Sequence, residues 1–110
     1  MLMPAEIVDF LDILLDEETR IYRKILKVEK NKQFPKGIKF TFNYLLKVED
    51  EWINLVRYDN SMHEKGKIGG HLHRYGKEEV EFVEIPLHKI HDYIVRIGEE
   101  IKRRIKNGKD

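Results

Sequence analysis

The chain contains no cysteine, which excludes a disulfide framework, a thiolate zinc site and a cysteine nucleophile. It also lacks an uninterrupted apolar run of the length that a membrane helix needs, since acidic residues divide the apolar stretch of residues 1–18. That stretch has no basic leader of the kind found in signal peptides. We therefore expect a cytoplasmic protein with no membrane segment.

Internal repeats and low-complexity segments are absent too, and 110 residues are enough for one compact core but not for two. We predict a single domain over residues 1–110. Charged residues make up 37% of the chain, well above the usual share, and Lys, Glu and Ile are favoured over Gln, Ser and Ala. This composition is typical of proteins from hot environments.

Charges of opposite sign are concentrated at opposite ends of the chain. The first eighteen residues carry acidic side chains and no basic ones: Glu6, Asp9, Asp12, Asp16, Glu17 and Glu18. The C-terminal stretch is basic, with Lys102, Arg103, Arg104, Lys106 and Lys109. This asymmetry suggests two kinds of partner, although two solvated helix faces would produce the same pattern.

Helical spacing of apolar residues predicts a helix at each end of the chain. Pro4 suits a first helical position, and an apolar stripe predicts a helix over about residues 4–17: Ile7, Phe10, Leu11, Leu14 and Leu15. Pro86 begins a second helix that ends at Asn107-Gly108. Its expected buried face is Leu87, Ile90, Ile94, Ile97, Ile101 and Ile105.

The region between the helices has the alternation and turn residues of β-strands. Alternation is clearest over residues 38–48, and the turn at residues 49–51 predicts a hairpin. The expected strands are 19–30, 38–48, 52–59, 71–75 and 79–85. These elements predict an α+β fold: an antiparallel meander of four to five strands, with both helices packed on one face.

Residues suited to chemistry are concentrated in one stretch of this meander. Arg57 and Asp59 are two positions apart on one strand and so share a face, as do His71 and His73 on the next. If these strands are neighbours, the four side chains converge, and His63 can enter from the glycine-containing loop between them. The other two histidines, at positions 88 and 91, are expected at the surface.

Such a cluster can cleave RNA without a metal. The reaction needs a base, an acid and a fixed cation on the phosphate, and histidine titrates near working pH. Arg57 could hold the phosphate, and Tyr58 could stack a base or donate a hydrogen bond. Basic residues outnumber acidic ones nearby, so an anion would be attracted: Lys65, Lys67, Arg74 and Lys77.

Two other interpretations remain open. A divalent transition metal could be held by His63, His71, His73 and Glu78. The spacing His71-x-His73-x4-Glu78 is similar to the first metal motif of cupins, although Ile85-Pro86 stands where that motif ends in glycine. Alternatively, the residues form a hydrogen-bonded cluster with an Arg57/Asp59 ion pair, in a non-catalytic binding or regulatory module.

The tetrad Arg57-Tyr58-Asp59-Asn60, followed by His63 and then by His71-x-His73, resembles the TumE-like family of toxins. These are small components of type II toxin–antitoxin modules, and the resemblance covers mainly residues 52–75. The resemblance implies toxicity that acts through RNA and that a cognate antitoxin restrains.

Our leading hypothesis is therefore a metal-independent endoribonuclease with no cofactor. His71 and His73 supply acid and base, Arg57 binds the phosphate, Asp59 orients a histidine, and His63 assists. Substrate contacts are expected from Tyr58, Asn60, Lys65, Lys67 and Arg74. The acidic first helix is the expected antitoxin contact and the basic end of the last helix the RNA or ribosome contact. A homodimer through the strand at residues 38–48 is a further possibility.

Overall fold

The computed structural model describes residues 5–61 and 68–108, which form an antiparallel sheet and one long helix. Six strands follow one another across the sheet in chain order. They are β1 (Glu6–Asp16), β2 (Thr19–Lys27), β3 (Ile38–Val48), β4 (Glu51–Asp59), β5 (His71–Arg74) and β6 (Glu81–Phe82). A 3-10 turn (Leu87–Lys89) leads into α1 (Ile90–Lys106). The predicted α+β class, meander and C-terminal helix are confirmed.

The predicted N-terminal helix is wrong, because residues 6–16 form strand β1. A strand that exposes apolar groups on both faces can have the same apolar spacing as a helix. Pairing with β2 favours the strand, because it supplies a hydrogen-bonded ladder along the segment. Two ion pairs reinforce that ladder, Asp9 with Arg23 at 2.7 Å and Asp12 with Arg20. The sheet therefore has one strand more than the four to five predicted.

The β3–β4 hairpin forms at the predicted place through a two-residue connection. Val48 pairs with Glu51, and Glu49 and Asp50 between them have φ angles of 50° and 66°. Positive φ at both central residues gives a turn whose twist matches that of the flanking strands. Non-glycine residues rarely adopt this conformation, so the ladder on either side must stabilise it.

The core lies between one face of the sheet and α1. Along β3 the buried ring of Tyr44 packs on Gly98 of the helix, where an added Cβ would lie 2.2 Å from the Tyr44 ring. Only glycine allows the helix to approach the sheet this closely. The buried apolar side chains are Ile21, Phe42, Tyr44, Leu46, Leu55, Val56, Tyr58, Leu72, Ile90, Ile94, Ile97 and Ile101.

The prediction of two helices on one face is wrong, because residues 6–16 form a strand and α1 alone packs on the sheet. The other face of the sheet is not covered by α1. Side chains alternate between the two faces along each strand. Because Phe42 and Tyr44 face the helix, Thr41 and Asn43 face away from it. We call this second side of the sheet the open face. No helix among the described residues is long and apolar enough to cross a membrane.

The acidic and basic ends of the chain meet each other in the fold. Lys102 of α1 contacts Asp16 at 3.1 Å and Glu18 at 3.7 Å, and Lys106 also pairs with Glu18. The pKa of Asp16 is lowered to about 2, first by the backbone N–H of Glu18 and also by Lys102. The charge asymmetry thus has an intramolecular explanation, and the expected antitoxin-binding helix does not exist.

Candidate functional site

The register of β4 and β5 brings the four predicted side chains together. Arg57 pairs with His73, and Asp59 pairs with His71. Directly opposed residues of an antiparallel pair point to the same face, and here this is the open face. The convergence expected from the sequence is therefore present, and we call these four residues the Arg–His cluster.

The polar atoms of the cluster form a continuous chain of contacts. His71 Nε2 lies 2.8 Å from Asp59 Oδ1, Asp59 Oδ2 lies 3.0 Å from Arg57 Nε, and Arg57 Nη2 lies 3.1 Å from His73 Nε2. The Arg57 Nε contact is an ion pair rather than a well-aligned hydrogen bond. The two imidazole rings are 5.2 Å apart at their centroids.

These contacts assign protonation states to one nitrogen of each histidine. A guanidinium can only donate, so the contact with Arg57 requires His73 Nε2 to be the unprotonated, accepting nitrogen. A carboxylate can only accept, so His71 Nε2 carries a proton that it donates to Asp59. The cluster thus holds a basic nitrogen and a proton-bearing nitrogen side by side.

Burial divides the cluster into an inner and an outer pair. Asp59 and His71 are 6% and 3% exposed, whereas the side chain of Arg57 is 43% exposed and His73 is half-buried. Phe82 of β6 packs against the His71 ring, with 5.7 Å between centroids. A ligand that approaches the open face therefore meets Arg57 and His73 first, and the inner pair supports them from below.

Polar side chains extend from the cluster across the open face, although one of them, Asn43, is buried. In β3, Asn43 stands opposite Arg57 and Thr41 opposite Asp59; Asn43 Nδ2 donates to Thr41 Oγ1 at 3.0 Å. In β2, Tyr22 stands opposite Asn43 and Lys24 opposite Thr41. None of these four was predicted as a site residue: Thr41, Asn43, Tyr22 and Lys24. Strict alternation along β3 could have identified the first two, because it places them beside the cluster.

Tyr58 does not belong to the open face, contrary to the prediction that it contacts substrate. It lies between Arg57 and Asp59 on β4 and so points to the core, where it is fully buried and burial raises its pKa. Its hydroxyl donates to the Val83 carbonyl at 2.6 Å and accepts from the Ile85 N–H at 3.2 Å. Tyr58 therefore fixes the chain after β6 instead of stacking on a base.

Tyr58 also explains the glycine that precedes the histidine pair. A Cβ added to Gly70 would lie 1.8 Å from the Tyr58 hydroxyl oxygen, so only glycine fits there. The backbone N–H of Gly70 itself donates to the Glu84 carboxylate at 3.2 Å. Together these contacts hold the start of β5, and with it His71, in register beside Asp59.

Other predicted substrate contacts are also used elsewhere. Asn60 accepts from the Phe40 N–H at 2.9 Å and donates to the Ile38 carbonyl at 2.8 Å, which makes it a structural bridge to β3. Arg74 pairs with Glu81 at 3.3 Å and lies on the helix-facing side of β5. His63, Lys65 and Lys67 lie outside the described residues.

The two remaining histidines differ from each other. His88 is exposed, as predicted. His91 is half-buried, and its Nδ1 lies 3.0 Å from Arg23, which also binds Asp9. His91 therefore has a structural role at the junction of β1, β2 and α1.

Three groups in the cluster have ligand atoms that could hold a metal ion. Donor atoms of Asp59, His71 and His73 lie within 4.8 Å of one another. Glu78, which the sequence suggested as a ligand, is exposed in the loop after β5 and is not part of this group. The donor set fits a transition metal, but Arg57 contacts two of its three members. A guanidinium in that place opposes a second cation by charge and by competition for the donors.

A cleft on the surface is separate from the cluster. A cleft of about 700 Å³ opens near Gly69 and Gly70 and is lined largely by apolar side chains, among them Phe34, Phe40, Ile68 and Ile85. The four residues of the cluster do not line it. The four residues of the cluster therefore lie on the open face and not in the cleft.

Comparison of the chain with protein-family models, with curated proteins and with solved structures finds no match.

Proposed function

We propose that this protein is the toxin of a type II toxin–antitoxin module, of the TumE-like kind, and that it cleaves RNA without a metal ion. The contact between Arg57 and His73 supports this most strongly. A guanidinium, which is suited to binding phosphate, lies there beside an unprotonated histidine nitrogen on an exposed surface. Metal-free phosphodiester cleavage requires this pair of groups within reach of one phosphate.

The reaction follows from the protonation states. Arg57 turns to the phosphate and releases His73 Nε2, which takes the proton of the ribose 2′-hydroxyl. The 2′-oxygen attacks phosphorus, and Arg57 stabilises the charge that develops on the phosphate oxygens. His71, in its doubly protonated form, gives one proton to the leaving 5′-oxygen and becomes neutral, while Asp59 holds the Nε2 proton and orients the ring. The products are a 2′,3′-cyclic phosphate and a 5′-hydroxyl.

The open face offers room for the flanking nucleotides. Tyr22 presents a ring on which a base can stack, and Lys24 a positive charge for a neighbouring phosphate. Both stand in the same cross-strand rows as the cluster. Single-stranded RNA is the substrate class that these groups suit, because a base must be unpaired to stack on a protein ring.

The antitoxin is expected to act on the same surface. An acidic segment of the partner that covers Arg57 and Lys24 would exclude RNA by occupying its phosphate positions. This replaces the expectation of a contact through an N-terminal helix.

The deciding experiment uses the whole chain and a short mixed-sequence RNA in buffer with EDTA. We expect cleavage and a 2′,3′-cyclic phosphate end detectable by mass spectrometry. His73→Gln should lower the cleavage rate by about 10²–10⁴-fold, the usual range for a general base. His88→Gln replaces an exposed histidine of the 3-10 turn and should leave the rate unchanged.

Two results would contradict the proposal. Loss of cleavage in EDTA together with stoichiometric bound metal would favour a metal enzyme that uses Asp59, His71 and His73. Undiminished growth inhibition by folded His71→Ala and His73→Ala variants would favour a non-catalytic binding module.

A further inference from the structure

Strand β1 exposes an unusual amount of apolar surface for an edge strand. Six of its large apolar side chains are between 42% and 61% exposed: Ile7, Val8, Phe10, Ile13, Leu14 and Leu15. In the described sheet β1 has one neighbour, β2, so the hydrogen-bonding groups along its outer edge face outward. A long apolar edge of this kind is a template for pairing with another strand.

We propose that two copies of this chain associate through β1 and form one continuous sheet of twelve strands. A two-fold axis perpendicular to the sheet makes the two β1 strands antiparallel, the more stable arrangement. It places both α1 helices on one side and both open faces on the other. This association is independent of the proposed nuclease function.

The exposed apolar side chains of β1 set an upper bound on the area that such a dimer can bury. Six side chains at roughly half exposure present on the order of 500 Å² on each chain, and two copies on the order of 1,000 Å², the size at which specific interfaces begin. These side chains lie on both faces of the strand, so pairing covers the parts beside the shared edge. Backbone hydrogen bonds along the strands add to this apolar contact. The surface is also self-complementary, as a symmetric contact between identical edges requires.

Three of the four acidic residues of β1, all but Glu6 at its start, are paired with basic residues of the same chain and so do not oppose the contact. Asp9 pairs with Arg23, Asp12 with Arg20, and Asp16 with Lys102. The ladder with β2 is regular from Asp9 to Leu14, between irregularities at Val8 and Leu15. The regular part of β1 is therefore an apolar edge whose carboxylates are already bound on the β2 side.

A register centred on Leu11 suits this segment best. It sets each Leu11 beside Leu11 of the second copy, Phe10 beside Asp12 and Asp9 beside Ile13. No carboxylate then opposes another within the regular part, whereas a register centred on Asp12 would place two of them together. Strand β3, the dimer surface expected from the sequence, lies between β2 and β4 and has no open edge.

The association is tested by molar mass in solution and by a disulfide cross-link. We expect light scattering to give twice the chain mass. Leu14→Lys should weaken the dimer at least about tenfold in dissociation constant, since it adds charge to the contact. Val48→Lys, an exposed apolar position at the far end of β3, is the matched control and should remain dimeric.

The cross-link test uses the natural absence of cysteine. Directly opposed residues of antiparallel strands have Cβ atoms about 4.5–5.5 Å apart, so Leu11→Cys should form an intermolecular disulfide under mild oxidation. Asn54→Cys, an exposed position on β4, should not. A chain that stays monomeric at millimolar concentration would overturn the proposal. The partner of β1 would then be a strand of a different protein. A dimer that Leu14→Lys does not affect, or one without the Leu11→Cys cross-link, would overturn it equally.

Discussion

The two ends of the sheet depart from the usual distribution of side chains in opposite directions. At the β4–β5 end, the carboxylate of Asp59 and the imidazole of His71 are buried. At the β1 end, Phe10 and Leu14 are more than half exposed. Buried polar groups and exposed apolar patches are the informative exceptions to normal burial. Each end therefore carries a different candidate function, a reaction at one and an association at the other.

The same comparison separates two kinds of ion pair. Asp59 contacts Arg57 and His71 from a buried position, whereas Asp12 contacts Arg20 at a more exposed one. Burial raises the cost of leaving a carboxylate unpaired, so we expect the loss of Asp59 to cost more than the loss of Asp12, although the Asp12 contact is the shorter one. The predictions below test this contrast, beginning with the largest effect.

Leucine truncation should give the greatest contrast between the two ends. Leu72→Ala on β5 removes a fully buried side chain and should lower the free energy of unfolding by about 3 kcal/mol. Leu14→Ala on β1 should cost less than about 0.5 kcal/mol in dilute solution, where copies of the chain are dissociated. Urea unfolding of both variants measures the difference. A loss of unfolding free energy for Leu14→Ala that grows with protein concentration would support association through β1. Equal losses for the two variants at low concentration would contradict the expected difference between the two ends.

Removal of a carboxylate should also destabilise the protein more at the β4–β5 end than at the β1 end, by a smaller difference in unfolding free energy than the leucine variants. Asp59→Ala leaves His71 Nε2 without its acceptor inside the fold and should cost about 2 kcal/mol, less than for a fully buried pair because Arg57 is partly exposed. Asp12→Ala should cost at most about 1 kcal/mol, as surface pairs do. Thermal unfolding of the two variants side by side tests this, and a larger effect at Asp12 would contradict it.

A hydroxyl deletion tests how the β5 end is held in place. Tyr58→Phe leaves the Val83 carbonyl and the Ile85 N–H without a partner and should cost about 1–2 kcal/mol. Tyr22→Phe on the open face is the matched control and should be close to neutral. Since Tyr58 also supports Gly70, we expect faster amide hydrogen exchange at β5 in the Tyr58 variant alone.

The smallest effect concerns pH at the β1 end. Because the folded-state pKa of Asp16 is lowered to about 2, its contribution to stability is fully present above about pH 4 and is lost as the pH falls toward 2. Asp16→Asn should therefore lower the melting temperature slightly at pH 6 and leave it unchanged near pH 2. A constant difference across this range would show that the carboxylate charge is not what stabilises the contact with Lys102.

The strands and the last helix were predictable because local pattern and tertiary structure agree there. In β3 every second residue is apolar and faces the core, and the isoleucines of α1 recur at the spacing of one helical face. The hairpin at Glu49-Asp50 followed from polar residues between two such patterns. In these segments one buried face dictates both the local conformation and the packing.

The N-terminal segment was mispredicted because its pattern does not reflect burial. A helical stripe indicates structure only when one face is buried, and β1 exposes apolar residues on both of its faces. One sequence feature did point to the strand. Asp9 and Asp12 have the same spacing as Arg20 and Arg23, which bind them across the β1–β2 hairpin. Matched charges at equal spacing on both sides of a short turn favour cross-strand pairing.

The sequence by itself determined which residues of the candidate site share a face, because a separation of two along a strand fixes this. The rule places Arg57 with Asp59 on one face and His71 with His73 on one face. The same rule places Tyr58, which lies between Arg57 and Asp59, on the opposite face, so it should not have been predicted to contact substrate. Only the tertiary structure decided which atoms meet, which pair is buried and which is exposed. It also decided that Asp16 and Glu18 pair with lysines of α1 and that β1 lies at an edge of the sheet. The physical reason is that pairing between distant strands depends on the whole sheet, whereas alternation depends on each strand alone.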